Sequence, residues 1–191
     1  MLRMQQPHTV GVCWSVADFI RPAGMGETDT LGLFAATVEP LMEKAYSDDP
    51  YMRMMAQTLA DRMAEATAER VHELVRKKIW GYAADENLTI EEMHAEKFQG
   101  IRPAVGYPSL PDTSLNFILD KVLRMGDIGI TLTENGAMRP HGSVSGMMIA
   151  TSGARYFNLG KIGEDQLRDY AKRRGLPLEM ARKFLAASLI N

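Results

Sequence analysis

The chain contains almost no cysteine: Cys13 is alone in 191 residues. A lone thiol excludes a disulfide within the chain and fits a reducing compartment, so a cytoplasmic protein is expected. No apolar run is long enough to cross a bilayer. The opening Met1-Leu2-Arg3-Met4-Gln5-Gln6 lacks the apolar stretch of a secretory signal. An excess of one charge is also missing. A formal net charge of −2 gives no general attraction to nucleic acid or to an anionic membrane. Cys13 and the four histidines (His8, His72, His94 and His141) are not spaced as metal ligands, so no metal is expected. The chain has no Walker loop, no GxGxxG turn and no GxSxG elbow. A chain without these signatures assists a reaction, if at all, by binding and positioning reactants.

What is present suits a globular protein, with 46% apolar and 24% charged residues. The length suffices for one well-buried core, and a single domain over 1–191 is expected. Fourteen methionines are many for this size. Several recur at helical spacing, so most are expected to pack in the core.

Residues 1–30 read as an irregular lead-in. Leu31–Val38 is expected as a buried strand, although its period alone fits a helix as well. Pro40 opens a short helix to about Tyr46, and Ser47-Asp48-Asp49-Pro50 signals the start of the next one. From there to Trp80, Met52, Met55, Leu59, Met63, Ala66, Arg70 or Val71, Leu74 and Lys78 or Ile79 recur every three to four residues. About thirty helical residues would span roughly 45 Å, enough to form the spine of the domain. Gly81 ends the pattern. Thr89 and Glu92 form a capping-box pair ahead of a short helix toward Lys97. A helix is expected around Leu115–Met125 and a strand over Ile128–Thr133. Ser143–Thr151 and Ala154–Ile162 read as a hairpin turning at Ser152-Gly153. Helices over Glu164–Arg174 and Leu178–Leu189 close the chain. Strands and helices without βαβ alternation point to an α+β fold.

One loop stands out: Gly100-Ile101-Arg102-Pro103-Ala104-Val105-Gly106-Tyr107-Pro108. Its prolines fix φ and its glycines permit turns, so one arginine and one tyrosine are held in a stiff frame. Glu96 precedes Arg102 by six residues, and a turn at Gly100 could bring the two into one pocket; an ordinary ion pair explains the spacing equally well. A carboxylate beside a bidentate guanidinium suits the two ends of an amino acid. On the long helix, Asp61, Glu65, Ala68 and His72 share a face. The like-charged pair Asp61/Glu65 is easier to understand if a cation lies against it, though a solvated face balanced by Arg62, Arg70 or Lys77 would also account for it. Tyr156, between Arg155 and Phe157, could stack on a flat base or serve as core. Ala137-Met138-Arg139-Pro140-His141-Gly142 is a second stiff loop.

Taken together, several segments resemble one family. They are Asp61-Arg-Met-Ala-Glu-Ala66, His72-Glu-Leu-Val-Arg-Lys77, Trp80-Gly-Tyr-Ala83, Glu86-Asn-Leu88 and Gln99-Gly-Ile-Arg-Pro-Ala104 with Gly106-Tyr-Pro108. Leu132-Thr-Glu134, Ala137-Met138, Ser143-Val-Ser-Gly146, Arg155-Tyr156 and Asp169-Tyr-Ala171 continue the pattern in order. The chain resembles the C-terminal activation domain of cobalamin-dependent methionine synthase over nearly its whole length.

The resemblance implies a bent antiparallel sheet with flanking helices and one long central helix. It implies binding of S-adenosylmethionine, whose methyl group restores an oxidised cobalamin to methylcobalamin while flavodoxin or an equivalent reductase supplies an electron. By matching motif, Arg102 would engage the ligand carboxylate, with the backbone at Ala104 and Gly106 in contact. Glu65 and Glu96 would lie near the ammonium or sulfonium, and Tyr107, Tyr156 and Phe157 would line the groove. Asp61 would receive the imidazole that leaves the cobalt, and Ala137, Met138, Pro140 and His141 would face the cobalamin domain. That domain, on the same or a separate chain, is the implied partner, with neither nucleic acid nor membrane. The chain would then be part of a homocysteine methyltransferase, inactive by itself and with no catalytic residue of its own.

The sequence also departs from the family. It lacks a longer N-terminal portion that carries an acidic ligand contact, as a shortened form would. Ser109–Asn116 lacks a histidine found in many members after the loop, and Arg139 and His141 stand where an aromatic residue and a glycine are common. A docking scaffold for a cobalamin-binding partner, without nucleotide binding, is the alternative function. Arg168, Lys172, Arg173, Arg174, Arg182 and Lys183 make the terminal helices basic. They raise a nucleic-acid reading that the net charge opposes.

Overall fold

The computed structural model describes residues 1–5, 11–39 and 41–190, with the side chains of Met42 and Glu43 excepted. Pro40, expected to open a helix, lies outside the described residues.

Two strands far apart in sequence form the centre. β1 (Gly32–Thr37) pairs antiparallel with β4 (Ser143–Met148), Phe34 opposite Gly146 and Thr37 opposite Ser143. The free edge of β4 takes the Arg102 loop as an irregular third strand. Ile101 and Ile149 exchange backbone bonds at 2.9 Å, Val105 N–H donates to Ser145, and Met147 N–H donates to Pro103. Pro103 has no N–H to give, but only its carbonyl is needed here. Gly146 makes this close approach possible, because a Cβ there would lie 2.3 Å from the Pro103 carbonyl oxygen. Gly100 starts the loop at φ +85°, beside the Ile149 carbonyl.

The expected hairpin is therefore corrected. Thr151 and Ala154 do close a turn, but the returning residues 154–161 form no strand. The bonding edges of β4 are already taken by β1 and by residues 101–105. The returning segment instead fastens to the end of the Arg102 loop, with Phe157 N–H donating to Ser109 Oγ and Leu159 N–H to Pro108. The expected strand at Ile128–Thr133 shrinks to β2 (Thr131–Leu132), paired with β3 (Met138–Arg139). Met125–Ile128 forms a 3₁₀ turn.

Helix α1 covers Leu41–Lys44. Helix α2 (Pro50–Leu74) begins where the sequence signals it. The Asp49 carboxylate accepts the N–H groups of Tyr51 and Met52, and Pro50 fills the first position. After Leu74 the helix widens into a π turn, Val75–Ile79. Its buried face is not the expected one. Ala56, Ala60, Ala64, Ala68 and His72 are buried, at i, i+4 spacing, whereas Met52, Met55, Leu59 and Met63 are 38–54% exposed. Small residues let α2 lie close on Phe34, Ala36, Val144 and Met148 of the sheet. The larger apolar side chains then fall on the outside. Of the methionines, Met4, Met125, Met147 and Met148 are buried, but Met25, Met52, Met54, Met55, Met63 and Met180 are exposed, so core packing does not account for most of them.

Helix α3 (Ile90–His94) carries the reciprocal Thr89/Glu92 cap. Helix α4 (Leu115–Leu123) packs its Leu115 and Leu119 with Met147, Val105 and Leu110 on the sheet face opposite α2. Val144 and Met148 face one way and Met147 the other, as the two-residue period of a strand requires. Helices α5 (Glu164–Arg174) and α6 (Leu178–Phe184) close on Leu2, Met4, Leu159 and Ile162. The last helix ends at Phe184, short of the expected Leu189, and a 3₁₀ turn follows at Ala186–Ser188. The fold is α+β.

Candidate functional site

A cleft of about 870 Å³ opens between α2, the Arg102 loop and residues 156–158. That volume is in the range of small-molecule sites. Phe34, Ala68 and Val144 are among its lining residues, so part of its wall is the core between sheet and helix. Glu65 and Glu69 come from α2, Glu96 from the turn after α3, and Arg102, Ala104 and Tyr107 from the loop. Tyr156 and Phe157 enter from the segment that fails to become a strand.

The strand-like pairing of its neighbours fixes Arg102. Ile101 and Pro103 are buried on either side, and the backbone N–H of Arg102 donates to the Tyr156 hydroxyl at 2.9 Å. Its Nη1 lies 3.4 Å from the same oxygen, and Nη2 donates to the Glu69 carboxylate. Burial raises the Tyr156 phenol pKa, so it stays protonated. Tyr107 donates its hydroxyl to Glu65. Burial, then that carboxylate, pushes its pKa up to about 12. Arg62 pairs with Glu65 at 2.8 Å. Glu96 adopts φ +54°. For a residue with a Cβ this left-handed backbone costs about 1–2 kcal/mol.

The structure therefore brings Arg102, Ala104, Tyr107, Glu65, Glu96, Tyr156 and Phe157 to one cavity. Gly106 is not among the lining residues, and its N–H is taken by the Leu110 carbonyl at 2.9 Å. Asp61 lies one helical turn before Glu65, outside the lining, and its carboxylate is 2.9 Å from His141 Nδ1. Met138 belongs to β3, with Ala137 and Pro140 flanking that strand, and none of these, nor His141, is among the residues that line the cleft.

Sequence reasoning missed Glu69, although it continues Asp61 and Glu65 at four-residue spacing. It also missed Arg62 and His94, which line the cleft. The basic terminal helices are largely neutralised: Arg168 and Arg182 pair with Glu164, Arg173 with Asp169, and Arg174 with Asp112. Among the described residues, no helix is long and apolar enough to cross a membrane.

With three carboxylates, two guanidiniums and aromatic faces, the cleft suits a molecule bearing both a carboxylate and a positive centre. Residues 1–175 match the family model for the vitamin B12-dependent methionine synthase activation domain. The chain belongs to this family. It is also similar to a crystal structure of the MetH reactivation domain bound to AdoHcy, at 39% identity and a TM-score of 0.89. The match covers 100% of this chain and 60% of that one, and it extends to the whole α+β architecture.

Proposed function

We propose that this domain binds S-adenosylmethionine in the cleft and presents it to a cobalamin held by a partner domain, so that an oxidised, inactive cobalamin returns to the methylated form. One observation carries this reading: Arg102, Glu65, Glu69, Glu96 and Tyr156 converge on a single cavity of ligand size.

The ligand's groups find complements there. The Arg102 guanidinium can fork onto the amino-acid carboxylate. Glu65, Glu69 and Glu96 favour the ammonium and the sulfonium, and the Tyr156, Tyr107 and Phe157 rings offer faces to the adenine and the cation. A cobalamin held by the partner domain, once reduced by one electron from flavodoxin or an equivalent reductase, would supply the nucleophile for the sulfonium methyl, with S-adenosylhomocysteine as the leaving product. The protein then needs no nucleophile or base of its own. Its residues orient the ligand and hold its charges. In this reading the 191 residues act as one activation domain, and the homocysteine methyltransferase activity belongs to the assembly.

The test is calorimetry with S-adenosylmethionine and S-adenosylhomocysteine. Both should bind, and Arg102→Ala should weaken each by about tenfold to a hundredfold, as expected for a lost charge-assisted pair. No heat at millimolar ligand would leave only a docking scaffold.

A further inference from the structure

Five buried side-chain atoms have no hydrogen-bond partner in the protein among the described residues: Glu69 Oε1, His72 Nδ1, His72 Nε2, Arg76 Nη1 and Arg102 Nε. They are not scattered. Residues 69, 72 and 76 fall on one stripe of the long helix at i, i+3 and i+7, and Arg102 is bonded to the first of them. His72 and Arg76 are both fully buried.

The atoms are also chemically complementary. Arg76 Nη1 and Arg102 Nε can only donate, and Glu69 Oε1 accepts. A neutral imidazole offers one donor and one acceptor. His72 is held neutral because burial, then the charges of Arg76 and Arg102, press its pKa down to about 3. Buried groups of this kind are commonly bridged by ordered water. The far end of the stripe is rigid. Arg76, on the π turn, is clamped by Glu86 through Nε and Nη2 at 2.7–3.0 Å and lies 4.5 Å above the Phe98 ring. His72 meets the same ring edge-on, with centroids 5.2 Å apart.

We propose that His72 is a positioning residue for Arg102. Backed by Arg76 and Phe98, it completes a buried, water-bridged network that fixes the Glu69–Arg102 pair, so that the guanidinium presents one edge to the ligand carboxylate. This inference rests on the reading of Arg102 as the carboxylate anchor.

The experiment compares two probes by calorimetry on the full chain. S-adenosylhomocysteine carries the amino-acid end, and 5′-methylthioadenosine lacks it. His72→Phe keeps an aromatic ring against Phe98 but removes both nitrogens. It should weaken S-adenosylhomocysteine about tenfold, leave methylthioadenosine within twofold, and leave Tm unchanged or raised. His72→Gln, which restores a donor and an acceptor, should fall between the wild type and His72→Phe. If His72→Phe does not fold, His72→Leu carries the same expectation. Unchanged binding, equal losses on both probes, or a Gln variant no better than Phe would overturn the positioning role. A wild type that does not prefer S-adenosylhomocysteine to methylthioadenosine would instead sink the carboxylate reading, and this inference with it.

Discussion

The Tyr156 hydroxyl accepts the backbone N–H of Arg102 at 2.9 Å and lies 3.4 Å from its Nη1. One phenol oxygen therefore fixes both the main chain and the side chain of the cleft's central cation. Tyr156→Phe keeps the ring but leaves a part-buried N–H without its acceptor. It should cost about 1–3 kcal/mol of stability by denaturant unfolding. Binding of S-adenosylhomocysteine should weaken in the same variant, as calorimetry would register. Wild-type stability would show that the bond contributes nothing.

Glu65 faces the cavity with Tyr107 and Arg62 as its partners. Its charge should matter most to a positively charged ligand. Glu65→Gln should weaken S-adenosylmethionine more than S-adenosylhomocysteine, lowering the ratio of their affinities by about fivefold to tenfold, as a single nearby charge in a partly screened site predicts. Competition binding with both ligands measures that ratio. An unchanged ratio would place the sulfonium away from Glu65.

At Gly146 a methyl group would meet the Pro103 carbonyl oxygen at 2.3 Å and Ala104 Cα at 2.9 Å. Gly146→Ala should push the Arg102 loop off the sheet. The expected cost is at least about 1–3 kcal/mol, the range for overpacking. Ligand affinity should fall with it, because loop and strand separate together. Thermal unfolding and calorimetry on one sample would check both. By contrast, Gly153→Ala meets no atom within 4 Å and serves as the control.

The buried His72 makes a pH prediction with a definite sign. Its folded pKa is depressed from 6.5 to about 3. Between those values the unfolded chain takes up a proton that the folded chain refuses. It therefore adds no pH-dependent cost above pH 6.5, and lowers stability progressively as pH falls toward 3, by at most about 1.4 kcal/mol per pH unit. Subtracting the urea-derived stability curve of His72→Phe from that of the wild type should isolate this slope. A flat difference would mean that His72 titrates normally.

Much of the fold was legible because its signals are local. Asp49-Pro50 and Thr89 with Glu92 specify their helices through bonds made within a few residues, and the run Leu31–Val38 is read from its own composition although its bonds go to distant β4. The loop around Arg102 was also legible, since proline and glycine act on their own backbone. The failures share a physical cause. Residues 154–162 have strand-like composition, but whether they pair depends on which edge of β4 is vacant, and partners more than forty residues away decide that. Likewise Met52, Met55, Leu59 and Met63 and the alanines Ala56, Ala60, Ala64 and Ala68 make competing stripes on one helix. Size at the contact with the sheet, not hydropathy, chose the alanines. Glu69 went unread because its role appears only once Arg102 lies across from it.

The alanine stripe of α2 has a mechanical consequence. Asp61, Glu65 and Glu69 ride on one stiff rod seated directly on the sheet, so the intervals between their carboxylates are set by helical pitch alone. A macromolecule leaning on the outer end of that rod cannot disturb one acid without carrying the others along, like teeth on a comb. Any widening or narrowing of the gap then moves rod against loop across two links, Glu69–Arg102 and Glu65–Tyr107.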